Sequence, residues 1–124
     1  MSIVRIAILE GDPVIATGKK MLLESQSDFL VVYESEFALQ AVTELPQQLV
    51  DVIVLDMRLR GKDGVEAAKL LSAAYAAAGE KVPRMILTTA YSAPEIQQIA
   101  SAVGVGHVIA ANELGRRLIE AVRG

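Results

Sequence analysis

Asp56 closes an apolar run, Val52 to Leu55, at the point where that run gives way to the polar loop Met57–Gly64. An acid at the rim of a core loses part of its hydration, so its ionised form needs a cation or hydrogen-bond donors. On one reading it is a strand-ending acid that caps the next turn. On the other, more carboxylates converge on it, and Glu10 and Asp12 follow the chain's first apolar run. Gathered carboxylates repel one another unless a hard cation such as Mg²⁺ neutralises them. With that ion, Asp56 is a candidate nucleophile for a phosphoryl group. Thr89 ends another apolar run: it is either a hydroxyl donor to a phosphoryl oxygen or an ordinary β-branched strand end.

These side chains take their meaning from the segments that carry them. Five apolar runs rich in branched residues recur at similar spacing: 4–9, 29–33, 51–55, 84–88 and 106–110. They are continuous rather than alternating, as in parallel strands covered on both faces. Helical segments lie between them. The first opens with Asp12-Pro13, a cap followed by a first-turn proline. The second spans about 37–48. The third spans about 64–78, with Gly79 as its stop. Ile96, Ile99 and Val103 mark the fourth, ended by Gly104. The fifth opens at Asn112 and aligns Leu114, Leu118 and Val122 on one stripe. Ile96, Ile99 and Leu118 are expected in the core.

A five-fold βα alternation makes a three-layer α/β sandwich with right-handed crossovers. Ligands of such sheets bind beyond the carboxyl ends of the strands. The residues there are Glu10, Gly11 and Asp12, then Glu34 to Glu36, then Asp56, then Thr89 to Ser92, then Ala110 to Asn112.

Composition narrows the function classes. At 124 residues, 52% hydrophobic and 22% charged, the chain suits one domain, 1–124, rather than a disordered tail. A formal net charge of −3 offers no basic excess to grip nucleic acid. With no cysteine, disulfides and thiolate metal sites are excluded. Met1 to Leu9 is too short for a signal peptide, and no apolar run approaches the ~20 residues of a membrane span. A cytoplasmic domain is expected.

Read in order, the segments resemble the receiver domain of bacterial two-component response regulators over essentially the whole chain. Asp-Val-Ile-Val-Leu-Asp-Met-Arg-Leu-Arg-Gly-Lys-Asp-Gly at 51–64 resembles the phosphoacceptor strand and loop, Ile-Leu-Thr-Thr-Ala-Tyr at 86–91 the fourth strand, and Glu-Gly-Asp-Pro at 10–13 the acidic pocket. Gly-Val-Glu-Ala-Ala at 64–68 and Leu-Ile-Glu-Ala-Val-Arg-Gly at 118–124 are most similar to receivers of NarL/FixJ-type transcription regulators.

The resemblance implies a flavodoxin-like sheet in the order 2-1-3-4-5 and a phosphoprotein that is not itself an enzyme. Asp56 would take a phosphoryl group from the histidine of a sensor kinase. Mg²⁺ would be held by Glu10, Asp56 and the backbone carbonyl of Arg58, with Asp12 in the same acidic pocket. Thr89 would sense the phosphate and His107 would hold the switch position on the fifth strand; read from the residue alone, His107 is a half-buried strand residue packing near the fourth helix. The face of the fourth helix, fifth strand and fifth helix would form a homodimer or touch effectors. A transcription output domain would follow, leaving this domain without direct nucleic-acid or membrane contact.

Three positions depart from the family pattern. Gly11 stands where a second, metal-binding acid is usual, Ala110 where a lysine pairs with the phosphoryl group, and Arg60 where a proline stiffens the loop. A hydrogen bond to a charged group is worth roughly 1.5–3 kcal/mol. That is the size of a typical allosteric coupling, about 1–3 kcal/mol, so both losses bear on switching. Glu10 reaching the ion, Asp12 swinging in, or Arg58 or Lys62 supplying a cation are the available rescues, and Gly11→Asp with Ala110→Lys is expected to restore Mg²⁺ affinity. Two functions stay open: a receiver phosphorylated on Asp56, or a phosphorylation-independent pseudo-receiver acting as a protein-interaction module. An aspartate-based phosphatase of the haloacid-dehalogenase type needs an acid at position 58, which is arginine, and no glycine-rich loop supports a nucleotide site.

Overall fold

All five apolar runs are strands. The structure, a computed structural model, describes residues 2–90 and 93–124; Tyr91 and Ser92 of the fourth-strand segment lie outside the described residues. The elements are β1 (Val4–Leu9), α1 (Pro13–Glu24), β2 (Phe29–Ser35), α2 (Ala38–Glu44), β3 (Val52–Asp56), α3 (Gly64–Ala77), β4 (Arg84–Thr89), α4 (Pro94–Ala102), β5 (Val105–Ala110) and α5 (Arg116–Arg123). The strands pair in parallel in the order β2-β1-β3-β4-β5, the flavodoxin-like order.

Side-chain parity along the strands decides what the site contains. Even-numbered Ile6, Ile8, Val52, Val54 and Ile86 pack with Leu23 of α1 and Leu118 and Val122 of α5. Odd-numbered Ala7, Leu9, Ile53, Leu55 and Leu87 pack on the opposite face with Ala41 of α2 and Leu71 of α3. Burying each large aliphatic side chain contributes roughly 1.5–3 kcal/mol, which pins the register, because a one-residue slip would exchange the faces. The register sets Leu9 beside Leu55, Asp56 beside Thr88, and Thr89 beside Ala110.

Several expectations need adjustment. Asp12 caps α1 as expected, accepting from the amides of Val14 and Ile15, and Gly79 follows α3 at φ 72°. The third strand begins one residue later than expected and takes in Asp56 itself. The second helix is shorter, Ala38–Glu44, and a single 3₁₀ turn, Leu45–Gln47, completes it. Asn112 does not cap the last helix: it lies in the 3₁₀ turn Ala111–Glu113, and α5 starts only after Gly115. Ile99 is not core but 53% exposed, whereas Leu118 is fully buried.

Candidate functional site

Glu10 continues the parity of Ile6 and Ile8, Asp56 that of Val52 and Val54, and Thr88 that of Ile86. All three turn toward α1, and α1 meets them with a lysine. Lys19 lies on the buried face of the helix with Leu23, one turn away, and is only 3% exposed. Its Nζ lies 2.5 Å from Glu10 Oε1, 2.7 Å from Thr88 Oγ1 and 3.4 Å from Asp56 Oδ1. An ammonium has three N–H donors, and each has a partner here.

The network closes on itself. The Thr88 hydroxyl accepts from Lys19 and donates to Asp56 Oδ1 at 2.7 Å. Asp56 Oδ2 accepts from the Arg58 amide at 2.9 Å, and Glu10 Oε2 accepts from the Asp12 amide at 3.2 Å. Among the described residues, no buried side-chain polar atom lacks a partner. Buried charge is tolerated only under such complete satisfaction, because each ion has lost its water. Lys19 escaped the sequence reading, although a signal was present: it stands three and seven residues after Ala16 and Asp12, and four before Leu23, on the stripe facing the core.

The loop after β3 is equally committed. The Arg58 carbonyl, expected as a metal ligand, accepts from the Gly11 amide at 3.2 Å. A Cβ at position 11 would stand 2.7 Å from that oxygen, so this close approach requires glycine. The Arg60 amide donates to the Glu36 carbonyl at 2.9 Å, and the Ala38 amide donates to the Arg60 carbonyl at 3.1 Å. A proline at position 60 has no N–H to give, so this departure from the family pattern serves a bond and is more than a change of stiffness. Above the network opens a cavity of about 230 Å³ lined by Glu10, Gly11, Asp12, Arg58, Leu59 and Arg60.

These residues do not fit a resident Mg²⁺. One of the two carboxylates in the network is salt-bridged to Lys19 at close range, the other shares the same ammonium, and the third expected oxygen is bonded to Gly11. Among the described residues, no group of three or more His, Cys, Asp or Glu is arranged to hold a metal. Asp12 is exposed and occupied as the α1 cap, so it does not swing in. Lys62 pairs with Glu66, and Arg58 is exposed at the cavity rim. The cation comes from α1, which none of the expected rescues named.

The remaining candidates lie on β4 and β5. Thr89 is buried at the end of β4 with the opposite parity, and Thr88 is the threonine on Asp56. Ala110 is buried beside Thr89 at the end of β5. His107 is exposed, not half-buried, and borders a groove with Gln97, Ser101 and Arg117.

Comparison with known proteins gives the same architecture. The family model of the response regulator receiver domain matches residues 6–123. The fold superposes on the receiver domain of the putative response regulator NarL from Mycobacterium tuberculosis, at TM-score 0.82 and 23% identity, covering 100% of this chain and 99% of that one. It is also similar to the response regulator domain of Thermotoga maritima CheB, at TM-score 0.84 and 21% identity over 98% and 94% of the two chains. A LuxR-family two-component response regulator from an Aurantimonas species gives TM-score 0.88 and 22% identity over 98% and 84%. No curated protein matches the sequence.

Proposed function

We propose that this chain, which belongs to the response regulator receiver domain family, acts as a phosphorylation-independent pseudo-receiver. Its single receiver unit, 1–124, controls a cytoplasmic transcription output through protein contacts. The observation that carries this reading is the state of Asp56: it is 8% exposed, Oδ1 is held by Thr88 and Lys19, and Oδ2 is held by the Arg58 amide. A nucleophile must present a lone pair to the phosphoryl group; here Oδ1 is taken by two buried partners, and the bond from the Arg58 amide fixes the orientation of Oδ2. The exposed Ile99 and His107 on α4 and β5 support that face as the contact surface for a second copy or an effector.

The test is incubation with acetyl phosphate or BeF₃⁻ in millimolar Mg²⁺, read by intact mass and by ¹⁹F spectra. No phosphoryl or fluoride adduct is expected. Robust labelling that disappears in Asp56→Asn overturns the proposal in favour of phosphoryl transfer from a sensor histidine kinase, with Thr89 and His107 relaying the change. One feature favours that second reading: two arginines border the cavity over the network, Arg58 and Arg60, the latter paired with Glu36 at 3.3 Å, and arginine is a residue type that suits phosphoryl oxygens.

A further inference from the structure

Lys19 is a full positive charge with almost no water, and its partners come from two strands and the residue that follows a third: Asp56 on β3, Thr88 on β4 and Glu10 after β1. We propose that Lys19 is the resident cation of this pocket, neutralising Glu10 and Asp56 from within the chain, so that the domain's geometry and stability are independent of Mg²⁺. The inference deepens the reading of Asp56 given above and can fail separately from it.

Three observations converge on it. The ammonium lies between the two carboxylates, so a divalent ion would have to displace it or accept a like charge as neighbour. The Arg58 carbonyl is withdrawn by its bond to the Gly11 amide. Position 11 carries no carboxylate: an acid there would gather three anions around one monovalent cation and drive a Cβ to 2.7 Å from the Arg58 oxygen. Gly11 and Lys19 are therefore matched, one removing a negative charge and the other supplying a single positive one.

The experiment follows melting temperature and calorimetric binding against Mg²⁺ for the full chain and its variants. The wild type and Lys19→Arg are expected to be unmoved through the millimolar range. Lys19→Met, with two carboxylates released, is expected to gain Mg²⁺-dependent stability, rising by about 10 °C at a hundredfold excess over the dissociation constant. Gly11→Asp with Ala110→Lys, Lys19 retained, is expected to gain no Mg²⁺ affinity, contrary to the expectation from sequence. Mg²⁺ stabilisation of the wild type that is lost in Asp56→Asn overturns the proposal, as does a folded Lys19→Met blind to Mg²⁺. Should Lys19→Met not fold at any Mg²⁺ level, the wild type and Lys19→Arg decide: silence in both supports the proposal and a response in either overturns it. Labelling of Asp56 in EDTA refutes the reading of Asp56 alone, whereas Mg²⁺-dependent labelling refutes both.

Discussion

Replacing Lys19 by methionine tests the network as a source of folding energy. Methionine keeps the unbranched apolar stem and deletes the charge, leaving Glu10 and Asp56 with 2% and 8% exposure and no countercharge. Removing one partner of a buried ion pair costs about 3–5 kcal/mol, because the surviving ion stays buried and uncompensated. Against a total stability of about 6–19 kcal/mol, from ~0.05–0.15 kcal/mol per residue over 124 residues, the variant folds but melts early. At roughly 4 °C per kcal/mol for this size, the fall is about 12–20 °C. Adding Glu10→Gln removes one stranded charge and is expected to recover about 1–3 kcal/mol. Lys20 is the control: its pair with Glu34 is 3.6 Å long and more than 40% exposed on both sides, so Lys20→Met changes stability by less than about 0.5 kcal/mol. Urea denaturation followed by far-UV circular dichroism measures all four proteins, with unchanged m-values as the condition for comparison. A loss below about 1 kcal/mol in Lys19→Met, or a double variant weaker than the single, refutes the reasoning.

Arg60→Pro deletes the amide bonded to the Glu36 carbonyl and is expected to destabilise the domain by about 1–3 kcal/mol by the same assay; an increase in stability would mean that loop stiffness outweighs the lost bond. The Tyr33 phenol, which donates to Glu44 Oε1 at 2.6 Å, is pushed well above its ordinary value of 10 by burial first and by Glu44 second, and burial also raises Tyr75. A phenol protonated in the folded chain while the unfolded chain ionises gives stability that is present below pH 10 and lost above it. Melting temperature should fall as pH rises past that point and fall less steeply in Tyr33→Phe.

The fold was legible because the signal was redundant. Strand positions such as Ile53 and Leu87 sit in continuous apolar runs, one helix start is written in Asp12-Pro13, and stops are written in Gly79 and Gly104. The misses lie where tertiary packing outranks local chemistry. Asn112 has the right side chain for a cap, yet it lies in a 3₁₀ turn and Gly115, at φ 86°, breaks the helical path, so α5 starts after it and docks Leu118 and Val122 with residues of β1, β3 and β4. Ile99 has helical spacing but falls on the outer side of α4, because Ala100 already meets the sheet.

The site was half legible for a different reason. Asp56 and Glu10 announce themselves as acids that end apolar runs, and Thr89 drew attention as the hydroxyl residue that ends the fourth run. Counting by twos along β4 would have pointed elsewhere: Ile86 shares its face with Val54, so Thr88, not Thr89, must share one with Asp56. The same count places Glu10 on that face, and helical counting along α1 places Lys19 above it. A lysine on a helix is ordinarily read as solvated, which hides it from composition and from motif alike. What exposes it is the charge sum at the core rim: two acids converge there, position 11 withholds a third and position 110 withholds a lysine. A buried anion pair without a cation is costly. The missing charge must then come from an element facing the same even-numbered side of the sheet, and on α1 the buried basic residue is Lys19.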